Sequence, residues 1–164
     1  MKVWGVVGWK NSGKTGLMER LVTEFVSRGF SVSTIKHAHH VFDIDQPGKD
    51  SYRHREAGAT EVLLSSRKRF ALMAEHRETK EPELKELLNK LAPVDLVLVE
   101  GYKRDRHPKI EAHRSENQNT LIATEDATVR AIASDDEATI TARPTFGLDD
   151  TAAIADFIAS ELGI

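Results

Sequence analysis

The chain has 164 residues, no cysteine and a formal net charge of -3. That length suits one domain, residues 1–164, with a real core. The absence of cysteine excludes disulfides and thiolate metal sites, and the weakly acidic balance gives no electrostatic argument for a nucleic-acid partner. No apolar run approaches membrane-spanning length, and the N-terminal apolar run is too short for a signal peptide, so a cytoplasmic protein without a membrane partner is expected.

Met1 to Val7, with Val3, Trp4, Val6 and Val7, reads as a buried strand. Gly8-Trp9-Lys10-Asn11-Ser12-Gly13-Lys14-Thr15 follows and matches G-x-x-x-x-G-K-[ST], the P-loop pattern, between that strand and a helix. Gly8 and Gly13 allow the backbone to curl with its N–H groups inward, and the helix N-terminus adds a partial positive charge. Gly8, Asn11, Ser12, Gly13, Lys14, Thr15 and Gly16 are therefore the candidate nucleotide-binding residues. Lys14 can reach terminal phosphates, and the Thr15 hydroxyl can ligate magnesium.

The first helix is expected from Gly13 to Arg28, with Leu17, Met18, Leu21, Val22, Phe25 and Val26 on one face and Gly29 as its stop. Ser31 to Lys36 reads as a second strand, parallel to the first through a right-handed crossover. A polar stretch follows. Asp43, Asp45 and Asp50 are candidates for holding magnesium or its waters, with Asp45 the foremost. His37, His39 and His40 could bind a transition metal or could be loop residues that pack, cap or contact phosphate. Asp50 is expected to cap a short basic helix, Ser51 to Ala57, that carries Arg53 and Arg55 and ends at Gly58.

Glu61–Ser65 and Phe70–Ala74 flank Ser66-Arg67-Lys68-Arg69 and suggest a hairpin that interrupts the strand-helix alternation, either an ordinary edge of the core or a subunit or partner surface. Thr79 to Leu91 reads as an amphipathic helix. Leu96-Val97-Leu98-Val99 is continuously apolar, as a central parallel strand would be, and ends in Glu100-Gly101. Glu100 is the best-placed acidic partner for a metal on the phosphates; a salt-bridge role is the other reading. Further strands are expected at Lys109–His113, Thr120–Ala123 and Val129–Ser134, followed by a closing helix from Thr151 to Leu162. Thr124-Glu125-Asp126 and Asp135-Asp136-Glu137 are where base recognition would be sought.

Several segments together resemble the molybdopterin-guanine dinucleotide biosynthesis adaptor family. They are the P-loop, Ile35-Lys36-His37 with His39-His40, Phe42-Asp43-Ile44-Asp45-x-Pro47-Gly48-Lys49-Asp50-Ser51-x-Arg53-His54, Ala57-Gly58-Ala59, Asp95 through Lys103, and Pro108-Lys109-Ile110-Glu111. The resemblance covers most of the first 114 residues and thins beyond Arg114. It implies GTP and Mg2+ as ligands, a dimer, weak GTPase activity at most, and work beside the guanylyltransferase that attaches GMP to molybdopterin, with molybdopterin itself as a further partner. Guanine selectivity is not visible in the residues: Asn89-Lys90 is followed by Leu91-Ala92 and lacks the aspartate that reads guanine in common GTPases. The competing functions are a P-loop small-molecule kinase, with Arg53 and Arg55 as lid arginines, and a GTP-dependent metal carrier using the three histidines. The fold expectation is an α/β P-loop nucleoside triphosphate-binding fold, with a mainly parallel sheet, helices on both faces and an added antiparallel hairpin.

Overall fold

A computed structural model describes residues 1–38, 42–136 and 142–164. The chain forms two compact units: Met1–His37 with Leu88–Ile164, and Ala38–Leu87.

The first unit is built on a six-stranded sheet. In chain order its strands are β1 (Lys2–Val7), β2 (Val32–Lys36), β5 (Leu96–Glu100), β6 (Lys109–His113), β7 (Val129–Ser134) and β8 (Thr145–Gly147). They lie in the order β2-β5-β1-β6-β7-β8, and every pairing is parallel. Leu96, Val97, Leu98 and Val99 are all buried, which is why β5 shows no alternation. Trp4 and Val6 share one face with Leu98, Ile110 and Ala131; on that face lie α1 (Lys14–Ser27) and α4 (Thr151–Leu162). Leu17, Leu21 and Phe25 of α1 and Ile154 and Ile158 of α4 are completely buried there. Each such side chain removed from water contributes about 1.5–3 kcal/mol. Val7, Val129 and Ile132 point to the opposite face and pack with Ala123, in a 3-10 turn at Ile122–Thr124.

That turn stands where the apolar pattern predicts a strand over Thr120–Ala123. The cause is Glu111. Its carboxylate is fully buried and accepts hydrogen bonds from the N–H groups of Ile122 (2.9 Å) and Ala123 (2.8 Å), so a side chain takes donors that a strand would give to a neighbour. β8 carries no pattern of its own. It has three residues, follows Pro144, and is defined by its pairing to Ile132–Ser134. Lys109 is also fully buried. Its ammonium donates to the Asp105 carbonyl and to Thr128 Oγ1 (2.6 Å), with Asp126 Oδ2 at 3.5 Å.

The second unit contains α2 (Asp50–Glu56) and an antiparallel two-stranded sheet, β3 (Glu61–Ser65) with β4 (Phe70–Ala74). Val62 pairs with Met73 and both are buried; Leu63 pairs with Leu72 on the other face, beside Phe70. The hairpin turns through Ser66, whose N–H and hydroxyl both donate to the Arg69 carbonyl. Asp50 is the first residue of α2 and not its cap, a position held by Lys49; a carboxylate in the first turn still favours the helix dipole.

The helix expected over Thr79–Leu91 is reduced to α3 (Leu84–Leu88). Pro82 disfavours helical backbone at Glu81, so the start moves past it. There the Glu83 N–H is capped by the Glu86 carboxylate at 2.9 Å, and a turn from Leu88 to Leu91 ends the segment before Pro93.

Candidate nucleotide site

The strand order puts the end of β1 between β5 and β6, and the loop that leaves β1 lies at the C-terminal edge of the sheet, where open parallel sheets bind ligands. Gly8 has φ +148°, and a Cβ there would stand 2.4 Å from both the Ala112 carbonyl oxygen and Ser12 Oγ. Gly13, at φ +89°, is the left-handed residue from which α1 starts; its Cβ would meet Leu148 Cδ2 at 3.1 Å. No side chain caps α1, so its first N–H groups face the loop cavity. Ser12 Oγ is buried and has no hydrogen-bond partner among the described residues.

Asn11 through Gly16 line a cavity of ≈ 420 Å³, together with Glu100, Arg114 and Glu116. Six of the seven candidate nucleotide-binding residues therefore share one cavity; Gly8 is outside its lining and permits the close approach of the loop to β6. Lys14 donates to the Trp9 carbonyl at 2.5 Å across the loop. Burial lowers the Lys14 pKa from its ordinary value; Glu100 opposes this, while Lys103 and Lys36 add to it. Lys36 sits 3.4 Å from Glu100, whose carboxylate is largely buried. Lys103 lies over the Trp9 ring, 4.0 Å from its centroid. This end of the sheet is thus crowded with cations around one carboxylate, a field that favours a polyanion.

The donor set fits magnesium with a nucleotide. Thr15 and Glu100 line the same cavity and offer hard oxygen ligands, and the glycine cradle with its orphaned Ser12 hydroxyl has the polarity a phosphate needs. Asp45 is placed differently. It belongs to the second unit, and both its oxygens accept from Arg55, at 2.6 Å from Nη2 and 3.3 Å from Nε. Arg55 also holds Asp43 at 3.0 Å and Glu75 at 2.9 Å. Hydrogen bonding from Arg55 keeps the Asp45 carboxyl below its ordinary pKa. Asp45 is committed to an ion-pair hub, and Arg55 is committed with it, which weakens its case as a kinase lid arginine. His37 stacks on Tyr102 with centroids 4.6 Å apart; His39 and His40 lie outside the described residues, and with them the histidine cluster expected from the sequence. Of the base-recognition candidates, Asp126 binds Thr128 and Lys109, and Asp135 accepts from the Ser115 N–H at 2.8 Å; Glu137 is outside the described residues.

Arg114 and Glu116 carry no motif that marks them as site residues in the sequence. They directly follow β6, so the rule that ligands sit beyond the ends of parallel strands is the one signal that points to them.

A glycine loop between a buried parallel strand and a helix, flanked by a strand ending in Glu100, defines the P-loop nucleoside triphosphate-binding class. No helix among the described residues is long and apolar enough to cross a membrane. Residues 3–135 match the family described as MobB, molybdopterin guanine dinucleotide synthesis protein B. The molybdopterin-guanine dinucleotide biosynthesis adapter protein of Haemophilus influenzae is 39% identical over 161 residues, covering 96% of this chain and 88% of the relative. Its Escherichia coli counterpart is 36% identical over 158 residues, covering 92% and 87%. A solved MobB homolog from Bacillus stearothermophilus superposes with a TM-score of 0.74 at 32% identity over 99% of each chain. Bacillus subtilis MobB gives a TM-score of 0.74 at 26% identity, over 99% of this chain and 98% of that one. The chain belongs to the MobB family.

Proposed function

We propose that this protein is a GTP-binding adapter in the biosynthesis of molybdopterin guanine dinucleotide, as the names of its relatives describe. The observation that carries the nucleotide part is the single cavity in which the P-loop residues 11–16 meet Glu100. In this reading Lys14 and the loop N–H groups bind the phosphates, and Thr15 and Glu100 hold Mg2+, which supplies charge neutralisation on the phosphate oxygens. Weak GTPase activity at most accompanies binding. The protein works in the cytoplasm beside the guanylyltransferase of molybdenum cofactor maturation, with molybdopterin as a further ligand of that assembly. It is a homodimer joined in part through the β3–β4 hairpin, whose outward face carries Leu63, Phe70 and Leu72, 60%, 72% and 45% exposed. A two-stranded ribbon with so much apolar surface is marginal unless something covers it.

Calorimetric titration with GTP, GDP and ATP, with and without Mg2+, tests the reading. Selective GTP binding that tightens with Mg2+ is expected, and Glu100→Gln should weaken the metal-dependent part more than the metal-free part. Equal affinity for ATP and GTP would sink the guanine assignment.

A further inference from the structure

Arg114 faces the P-loop from a firmly anchored stretch of backbone. β6 is locked to β1 in the register Val7↔Glu111, so the residue after His113 emerges level with the loop. Arg114 is extended, with φ -127° and ψ 130°. Its carbonyl accepts from the Asn117 N–H at 3.0 Å, and Asn117 Nδ2 in turn donates to the Lys10 carbonyl at 3.2 Å, which ties this turn to the P-loop. On the other side the Ser115 N–H is held by Asp135 at 2.8 Å. The side chain overhangs the second loop glycine: Nε lies 3.4 Å from the point where a Gly13 Cβ would stand.

The charge balance of the cavity gives this placement a purpose. Its lining carries two cations, Lys14 and Arg114, against two carboxylates, Glu100 and Glu116. Lys36 is engaged with Glu100 at 3.4 Å, and burial disfavours the charged form of Lys14, so the positive charge of the lining leans on Arg114. A polyphosphate in such a cavity needs the second cation. Arginine suits the task because its planar fork donates to two oxygens at once and stays protonated.

We propose that Arg114 is a phosphate-binding residue of this site, donating to the nucleotide's phosphate oxygens from the β6 side while Lys14 reaches them from the loop. The proposal rests on the nucleotide reading above. The test is calorimetry of wild type, Arg114→Gln and Arg114→Lys with GTP, GDP and inorganic tripolyphosphate, with thermal midpoints recorded for each variant. Arg114→Gln should weaken all three ligands roughly 10- to 100-fold, the scale of a lost charge-assisted contact. Arg114→Lys should recover part of that loss by restoring the charge without the fork. Because the side chain is exposed at the cavity edge, the midpoints should agree with wild type. Affinities within twofold of wild type in Arg114→Gln would overturn the role of Arg114 and leave the nucleotide site standing. A wild type that binds none of the three would overturn the nucleotide reading, and this inference with it. Equal losses in the Gln and Lys variants accompanied by a lowered midpoint would show a structural residue and overturn the proposal.

Discussion

The two units solve the problem of holding a short chain together in different ways. The first buries whole side chains: Trp4, Leu17, Leu21, Phe25, Leu98, Ile110 and Ile154 have no exposed surface. The second has few buried apolar side chains, with Val62, Met73 and Leu84 its only hydrophobics below a tenth exposed among the described residues. It relies instead on backbone pairing in a hairpin and on Arg55, which joins Asp43, Asp45 and Glu75. The polar groups are distributed in the opposite sense. In the second unit the buried charge is paired. At the P-loop edge of the first, Lys14, Lys36, Lys103 and Arg114 gather near Glu100, and a buried serine hydroxyl has no partner among the described residues. A unit stabilised by its apolar core can tolerate such unfavourable electrostatics, and a ligand of opposite charge relieves them. A unit stabilised by surface pairing cannot, and its exposed apolar face is the one the proposed dimer would cover.

The largest effect that would test this contrast comes from the core. Leu98→Ala should cost about 2–5 kcal/mol of stability, while Leu64→Ala in the hairpin should stay within about 0.5 kcal/mol. Chemical denaturation of both variants measures the difference. Comparable losses would mean that the hairpin is a core element and that the contrast is wrong.

Next in size is the relief of charge by ligand. Lys14→Ala should lower GTP affinity by about 2–4 kcal/mol with the fold intact, the range for truncating one partner of a desolvated charge pair. Calorimetry together with far-ultraviolet circular dichroism separates affinity from folding. Unchanged affinity would remove the proposed phosphate site.

Burial in the first unit also has a pH signature. Both ring nitrogens of His107 are buried without a partner among the described residues, and desolvation beside Lys109 lowers its pKa from 6.5 to about 4. A depressed histidine is neutral in the folded chain and takes up its proton in the unfolded chain first. Stability should therefore fall as pH drops from 6.5 towards 4 and level off below, by a total on the order of 3 kcal/mol. In His107→Gln that share of the slope should vanish when denaturation midpoints are followed between those limits. A slope identical to wild type would show that His107 is hydrated and titrates normally.

The smallest effect on the fold, and the sharpest on assembly, is expected at the hairpin. Leu72→Arg places a charge on the outward face shared with Leu63 and Phe70. The core of the first unit is untouched, so its stability should change by no more than about 0.5 kcal/mol, as for most surface substitutions. Sedimentation should show a dimer for wild type and a monomer for the variant, with GTP binding retained. A wild type that sediments as a monomer at micromolar concentration would remove the dimer and leave the nucleotide site untouched.

Much of the architecture is legible in the amino-acid sequence. The continuous apolar run at Leu96–Val99, the paired apolar spacing of α1 and the alternation of strand and helix each state a local preference strong enough to survive folding. The P-loop is legible too, because its glycines, lysine and threonine are neighbours in sequence and its curl is completed within a few residues of backbone. Other features are set by partners far along the chain. Thr120–Ala123 looks like a strand until the Glu111 carboxylate, 11 residues before Ile122, claims its donors. Asp45 looks like a metal ligand until Arg55 claims both its oxygens. β8 exists because β7 offers it an edge, and Arg114 faces the P-loop because β6 is registered on β1. Side-chain hydrogen bonds and sheet register couple residues through space, with no trace in local periodicity, so only the tertiary structure decides them.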